Sequence, residues 1–588
     1  MNPAILPKNW RKRPWPQEPD LGHCQTIASQ LQMPLPMVAI LFQRGLRSVE
    51  QIEIFLNPTL KQLPSPFTML GMRQAVDLVV DAISNEKPIS IYGDYDVDGV
   101  TATAVLLQFL KTLDAKVSYY LPNRLTEGYG LNKSALKKLR ANTFCPDRGG
   151  LLITVDCGIS DADEIEAAKR LGFSVIITDH HKLPPVLPAA DVILNPLQPG
   201  CNFPYKNMAG VGVAFYLVMG VRNFLCRKRF WQAAATPNLK RYLDLVTLGT
   251  ISDLAPLQGI NRIFVKAGLE VMRTSQRPGI RSLLKIAKIS EREITAEDIA
   301  FRIGPRINAI GRTGESDKAV QLLSTDDNEL AFQLANELEH ANQLRRSIQQ
   351  DLYVKISKLA QDHVDAGNKT LVLSGKEWHP GIIGIVASRL TEQFCRPTIL
   401  LSIDKNGQVK GSGRSIPELN LFDALTLCAD CLVEYGGHDA AAGLSLKEEH
   451  LEIFKKKFEK VAAANLSLKD LEPKLTYDCR LAFSELFGEK FLYHYARLSP
   501  FGYGNPEPVF LCDKTKLVSP KRVGTDHLKF SLKENGAMRH GIGFGFGHLL
   551  SYLEQSEAEI AVNIRLNEFQ GKKEWELNLV DVKIHPSA

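Results

Sequence analysis

The chain is poor in several things, and each scarcity removes a class of protein. No run of about 18 uninterrupted apolar residues occurs, which argues against a membrane-spanning helix. The opening residues MNPAILPKNWRKRPW carry positive charge with no apolar stretch behind it, so a secretory signal is not expected. Ten cysteines are scattered over 588 residues, and only Cys428 and Cys431 form a CxxC. With no second pair at zinc-ribbon spacing, reduced thiols and a cytoplasmic location are expected. Low-complexity tracts and internal repeats are absent. Charge of either sign is barely in excess, 71 Lys plus Arg against 65 Asp plus Glu. That balance permits a polyanionic partner without requiring one. The composition left is an ordinary globular one, 44% hydrophobic and 23% charged, on a chain long enough for several domains.

The pattern along the chain changes four times. Up to about residue 75, short apolar-periodic pieces such as MVAILFQRGL and SVEQIEIFL between prolines predict helices. Next, KPISIYGD, GGLLITVD, FSVIITD and ADVILNP read as strands, with helices such as VTATAVLLQFLKTL and DADEIEAAKRLG between them. Strand–helix alternation with apolar strand runs predicts a parallel sheet covered on both faces. From Ser324, apolar residues at steps of three and four from Leu330 to Leu359 predict one helix of about 35 residues, capped by Ser324, Thr325 or Asp326. KTLVLSG, GIIGIVASRLTEQF and PTILLSID then predict a second, smaller α/β domain. The remainder is strand-rich, with turn signals at Asn535-Gly536 and Gln570-Gly571 and five or so short strands, as in an OB-fold barrel. The expected division is 1–75 helical, 76–323 catalytic α/β, 324–363 connecting helix, 364–465 second α/β, and 466–588 barrel.

One stretch, IYGDYDVDGVTAT at 91–103, places Asp94, Asp96 and Asp98 at alternate positions before a glycine. An EF-hand calcium loop begins this way, but it needs a preceding helix and a Glu at its twelfth position. Here a strand leads in and the twelfth position is Val105. Two further strands also end in aspartate, Asp156 in VDCG and Asp179 in TDHH, the latter followed by His180 and His181. Asp253 in SDLAPL follows a helix. A single aspartate after a strand is usually the cap of the next helix, and Asp161 and Asp163 read that way. Three neighbouring strands ending in Asp are another matter, because ligands of open parallel sheets bind beyond the strands' carboxyl ends. So many carboxylates repel one another unless cations hold them. Oxygen ligands with an imidazole suit Mn²⁺ or Mg²⁺, and two ions roughly 3.5–4 Å apart would activate a water against a phosphoester.

GDYDVDG, VDCG, TDHH and SDLAPL, in that order, resemble the four motifs of the DHH phosphoesterase superfamily. GSGRS at 411–415 and GGHDAAAG at 436–443 resemble the accessory DHHA1 domain of one branch, the single-strand-specific 5′→3′ exonucleases. The resemblance implies a DHH catalytic domain, a DHHA1 domain and an OB-fold, and a nuclease releasing 5′-mononucleotides in DNA repair and recombination. It implies metal ligation by Asp94, Asp96, Asp98, Asp156, His180 and Asp253, with Asp156 bridging, and contact of His181 with metal or scissile phosphate. Many small-substrate relatives carry a histidine where this chain has Tyr92, so one metal is expected to be held more loosely or by Asp94. Arg124 in PNRLTEGYGL, Arg306, Asn308 and Arg312 in GPRINAIGR, Ser412 and Arg414 in a glycine-rich loop, and Gly436, Gly437 and His438 are candidate strand contacts. By resemblance Arg124, Ser412 and Arg414 hold the 5′ end. In the barrel, Lys529, Phe530, Lys533, Arg539, Phe544, Phe546, Arg565, Phe569, Lys572 and Lys573 interleave basic and aromatic character, although about half the aromatics should fill the interior. Expected partners are single-stranded DNA and, by resemblance, a helicase and a single-strand-binding protein, with no membrane and a monomeric chain. Two alternatives stand beside this: a phosphoesterase for short oligonucleotides or cyclic dinucleotides, and a non-catalytic DNA-binding scaffold.

Overall fold

The structure, a computed structural model, describes residues 8–14, 20–124, 126–141, 149–232, 235–290, 293–312, 315–534, 537–554, 556–569 and 572–585. The turn signals at Asn535-Gly536 and Gln570-Gly571 lie outside the described residues. The chain divides into two compact units. One comprises Trp15–Asn342 and Gly488–Glu507; the other comprises Met1–Pro14, Gln343–Phe487 and Pro508–Ala588. Among the described residues no helix is long and apolar enough to cross a membrane.

The N-terminal segment is helical from Leu21 to Leu56, but it begins with a strand, β1 (Asn9–Lys12), that pairs in parallel with Lys474–Tyr477. Trp10 also donates from its indole to Asp581 at 2.6 Å, so these first residues belong with the distal part of the chain. In the first unit, β2 (Ile89–Gly93), β3 (Val117–Tyr120), β4 (Gly150–Val155), β5 (Phe173–Thr178) and β6 (Val192–Leu194) form one sheet in the order β3-β2-β4-β5-β6. Every pairing is parallel. Neither β3 nor the helix Lys133–Ala141 was expected, because VSYY is short and half-buried and the helix carries four basic residues in nine. The three strands that matter are buried almost throughout, as their apolar runs require. Their register aligns their ends: Gly93 lies opposite Val155, and Val155 opposite Thr178. The next residues, Asp94, Asp156 and Asp179, therefore emerge in one row at the carboxyl edge.

Asp161 does sit at the N-cap position of helix Ala162–Arg170, but its carboxylate takes the Leu131 N–H at 2.9 Å instead of capping that helix. Asp163 lies in the helix's first turn. The long helix spans Asn328–Asp365. Its cap is Asp327, which accepts from the N–H groups of Glu329 and Leu330; Ser324 is taken up by the end of the preceding helix, Asp317–Ser324, where its hydroxyl bonds Val320 O. A buried arginine was also invisible in the sequence. Arg262 donates to the carbonyls of Phe55, Arg497, Ser499 and Pro500 and stacks at 3.8 Å on the Phe55 ring, fastening the 488–507 segment and the N-terminal helices onto the first unit.

In the second unit, β7 (Leu371–Lys376), β8 (Thr398–Ile403), β9 (Gln408–Arg414), β10 (Glu434–Gly437) and β11 (Ala441–Lys447) form a sheet in the order β10-β11-β9-β8-β7. The C-terminal sheet has seven strands where five or so were expected; the two-residue strand Cys479–Arg480 and the strand Val518–Val523 carry too few apolar residues to be read as strands.

Candidate metal centre

Each acidic group at the carboxyl edge is placed by a local backbone device. Asp96 caps helix Val97–Lys111, one of its oxygens accepting from the N–H groups of Asp98 and Gly99. Asp98, in the first turn of that helix, caps a different one: its two oxygens accept from Gly210 N–H at 2.6 Å and Val211 N–H at 2.9 Å, at the start of helix Gly210–Arg227. Only glycine fits at 210, since a Cβ there would lie 2.7 Å from Asp156 Oδ1. Asp156 itself has φ +62°, a left-handed conformation costly for a non-glycine residue and often stored at functional sites. Asp253 ends helix Leu243–Ser252.

The side chains converge. His180 Nε2 lies 3.0 Å from Asp156 Oδ1, 3.8 Å from Asp253 Oδ2 and 3.9 Å from Asp98 Oδ2. Three groups each offer ligand atoms within 4.8 Å of one another: Asp94, Asp96 and Asp156; Asp98, His180 and Asp253; Asp156, His180 and His181. Asp94, Asp98 and Asp156 are all buried. Among the described residues, Asp94 Oδ1, Asp156 Oδ1 and His180 Nε2 are buried and make no hydrogen bond, the last two facing each other at 3.0 Å, an arrangement that native proteins avoid unless something else satisfies the atoms.

The electrostatics agree. Burial first, and neighbouring carboxylates second, push Asp98 up to about 7 and hold Asp94, Asp156 and Asp253 well above the usual carboxylate range. Burial, then the charge of His181, lowers His180 to about 4, which leaves a neutral imidazole. Without added positive charge this site would hold protons; with it, the site presents anionic oxygens and a free imidazole nitrogen. That donor set fits divalent Mn²⁺ or Mg²⁺.

Two site residues had no role assigned to them from the sequence. Asp179 is fully buried and accepts from the N–H groups of Ile159, His180 and His181 and from His181 Nδ1 at 2.8 Å. It orients both histidines, a role its place directly before them in TDHH could have suggested. Tyr129 reaches His181 through its hydroxyl. Tyr92, at the position where small-substrate relatives carry a histidine, gives its hydroxyl to Gly130 O at 3.2 Å and packs on Tyr120.

The candidate strand contacts divide. Arg124 lies over the Tyr95 ring at 5.1 Å, and the charges of Arg124 and Arg312 both favour ionisation of that tyrosine, as Arg124 does for Asp94. Arg306 and Asn308 lie on a helix, Gly304–Gly311. Arg306 is buried and its guanidinium pairs with Glu339 at 2.6 Å. Asn308 is half-buried. In the second unit, Ser412 and Arg414 are on strand β9 rather than a loop, because Gly411 and Gly413 extend between the flanking β8 and β11. Strand period places both side chains on one face, where Arg414 donates to Ser412 Oγ at 3.2 Å and both approach Gly384 of helix Pro380–Phe394. Gly436, Gly437 and His438 form the exposed end of the β10–β11 hairpin, and Arg414 pairs with Ala441 beside it. In the C-terminal sheet Phe530 and Phe546 are buried; Lys529, Lys533, Arg539, Phe544, Arg565 and Lys573 are exposed. The side chains of Phe569 and Lys572 lie outside the described residues.

Comparison with known proteins matches the DHH family N-terminal domain to residues 88–250, the DHHA1 domain to 367–464 and the RecJ OB domain to 477–581. The single-stranded-DNA-specific exonuclease RecJ of Bacillus subtilis (strain 168) is 35% identical over 578 residues, covering 97% of this chain and 70% of that protein. The Escherichia coli (strain K12) protein of the same name is 36% identical, covering 94% of this chain and 96% of its own length. The crystal structure of RecJ in complex with Mn²⁺ from Thermus thermophilus superposes with a TM-score of 0.81 at 32% identity, over 99% of this chain and 80% of that one.

Proposed function

The chain belongs to the RecJ family of single-stranded-DNA-specific exonucleases, and from that premise we propose that it degrades single-stranded DNA from the 5′ end to 5′-mononucleotides in a metal-dependent reaction. The observation that carries most weight is a set of buried atoms that make no hydrogen bond, Asp94 Oδ1 and the facing pair Asp156 Oδ1 and His180 Nε2, among further carboxylates. Asp94, Asp96, Asp98, Asp156, His180 and Asp253 would hold two divalent cations, with Asp156 shared between them. Those cations, when bound, supply an activated water and neutralise charge at the scissile phosphate.

The chain's own groups do the rest. Asp98 is held rigid by two N–H donors, so its oxygens do not reorganise during the reaction. His180 stays neutral and keeps a lone pair for the site. Arg124 and Arg312 would steer the strand's phosphates towards the carboxylate row, while Ser412, Arg414 and His438 would grip the 5′ end and set polarity. The exposed basic residues and Phe544 of the OB domain would hold the strand by phosphate contact and base stacking.

We place the protein in the cytoplasm, as a monomer acting in recombination and repair with a helicase and a single-strand-binding protein; family resemblance supports these points. We propose the division 1–75, 76–323, 324–363, 364–465 and 466–588; the three domain matches fall inside its second, fourth and fifth parts, while residues 9–12 pair with 474–477 and residues 488–507 pack with the first unit, across the outer bounds. End-labelled oligonucleotides of 5 and 50 nucleotides, digested with Mn²⁺, test the function. The expected result is stepwise loss from the 5′ end of the long strand. Equal turnover of both lengths with no ladder would instead point to a small-substrate phosphoesterase.

A further inference from the structure

A single tyrosine, unused by the chemistry so far, bridges two of the centre's key elements. It lies in Gly128-Tyr129-Gly130, where both glycines have positive φ, +81° and +87°. The loop is pinned from two sides. Tyr92 donates to Gly130 O at 3.2 Å, and Leu131 N–H donates to Asp161 Oδ2 at 2.9 Å. A Cβ at Gly130 would sit 2.8 Å from Asp161 Oδ1, so this close approach requires glycine. Tyr92, which stands where relatives carry a histidine, and Asp161, which read as a helix cap, thus act together to fix the loop that carries Tyr129.

Tyr129 is 51% exposed, yet its hydroxyl points inward. It lies 3.2 Å from Asp156 O and 3.3 Å from His181 Nδ1, with the two rings edge-on at 70°. Protons can be assigned from chemistry alone. The Asp156 carbonyl can only accept, so the tyrosine hydroxyl donates to it. The hydroxyl oxygen then accepts from His181 Nδ1–H, which is shared with Asp179 Oδ1 at 2.8 Å. A phenol keeps its proton at neutral pH, so Tyr129 can both donate and accept here.

We propose that Tyr129 is a positioning residue of the nuclease centre: its hydroxyl links the Asp156 main chain to the His181 imidazole, fixes the proton on Nδ1, and leaves Nε2 as the nitrogen that meets the phosphate. This rests on the nuclease function above. Asp179 alone leaves the ring free to pivot about one hydrogen bond; the tyrosine supplies a second constraint. It also joins the strained backbone of Asp156 to the PNRLTEGYGL segment that carries Arg124.

The test is a double-mutant cycle of Tyr129→Phe and His181→Ala, read in single turnover with 5′-labelled single-stranded DNA and Mn²⁺. Tyr129→Phe keeps the ring and removes only the hydroxyl. It is expected to lower the cleavage rate about tenfold with strand binding unchanged within about twofold, as befits loss of one orienting hydrogen bond. In the His181→Ala background the same substitution is expected to change the rate less than about twofold. Calorimetric titration with Mn²⁺ is expected to give the same stoichiometry for Tyr129→Phe as for the parent chain. Undiminished cleavage by Tyr129→Phe, a full tenfold loss in the His181→Ala background, or altered Mn²⁺ stoichiometry would each overturn the assignment. A parent chain inert on every DNA strand would overturn the nuclease function itself, and this inference with it, which distinguishes the two failures.

Discussion

The carboxyl edge of the parallel sheet and the exposed surface of the C-terminal sheet both gather charge, but under opposite conditions. At the edge, four aspartates and a histidine are buried or nearly so, their titration displaced and several of their atoms left without partners. In the C-terminal sheet, Lys529, Lys533, Arg539 and Arg565 are exposed. The first arrangement is expensive for an empty fold and points to a particular ligand. The second costs little, fits any polyanion, and tells of affinity more than of chemistry. The two regions should therefore respond differently to mutation, in rate at one and in binding or stability at the other.

The sharpest contrast is Asp156→Ala. Hydrolysis is expected to fall by about 10³-fold or more, since a shared metal ligand is lost, while strand binding measured by fluorescence anisotropy stays within about threefold. Activity within tenfold of the parent would break the comparison. Two phenylalanines of the C-terminal region separate packing from contact. Phe530→Ala, at 1% exposure, should lower stability by about 3–5 kcal/mol in denaturant titration. Phe544→Ala, at 57% exposure, should leave stability within about 0.5 kcal/mol but weaken strand binding by about 1–3 kcal/mol. Arg414→Ala should reduce the preference for 5′-phosphorylated over 5′-hydroxyl ends about tenfold in competitive digestion; an unchanged preference removes that arginine from 5′-end recognition. The smallest effect concerns pH. Asp98, raised to about 7 in the fold from about 3.9 in an unfolded chain, makes the folded state hold more protons between those values. The metal-free protein should thus lose stability as pH rises through about 4 to 7, and the gain in Tm on adding Mn²⁺ should be larger at pH 8 than at pH 5.5. An equal gain at both would show that the carboxylates are not the cation's ligands.

Much of the centre was legible because it rests on period and topology. Apolar runs ending in Asp94, Asp156 and Asp179 are strands, and parallel strands align their ends wherever they fall in the chain. Asp253 was found through its motif, although it ends a helix. The features that stayed hidden depend on tertiary contact. Nothing local says that Arg306 will meet Glu339, that Asp98 will cap a helix more than 100 residues away, or that Asp161 will hold a loop instead of its own helix. GSGRS reads as a loop because of its glycines; flanked by two strands, they pair as strand residues. Tyr129 gave no signal beyond its two glycines, since an exposed tyrosine in a turn is commonplace.

The most direct measurement is an anomalous difference map from crystals of the protein soaked in Mn²⁺. Two peaks are expected, ligated by Asp94, Asp96, Asp98, Asp156, His180 and Asp253, with Asp156 touching both. Peaks confined to other residues, or a carboxylate row that takes up no metal in an enzyme still active on single-stranded DNA, would contradict the account.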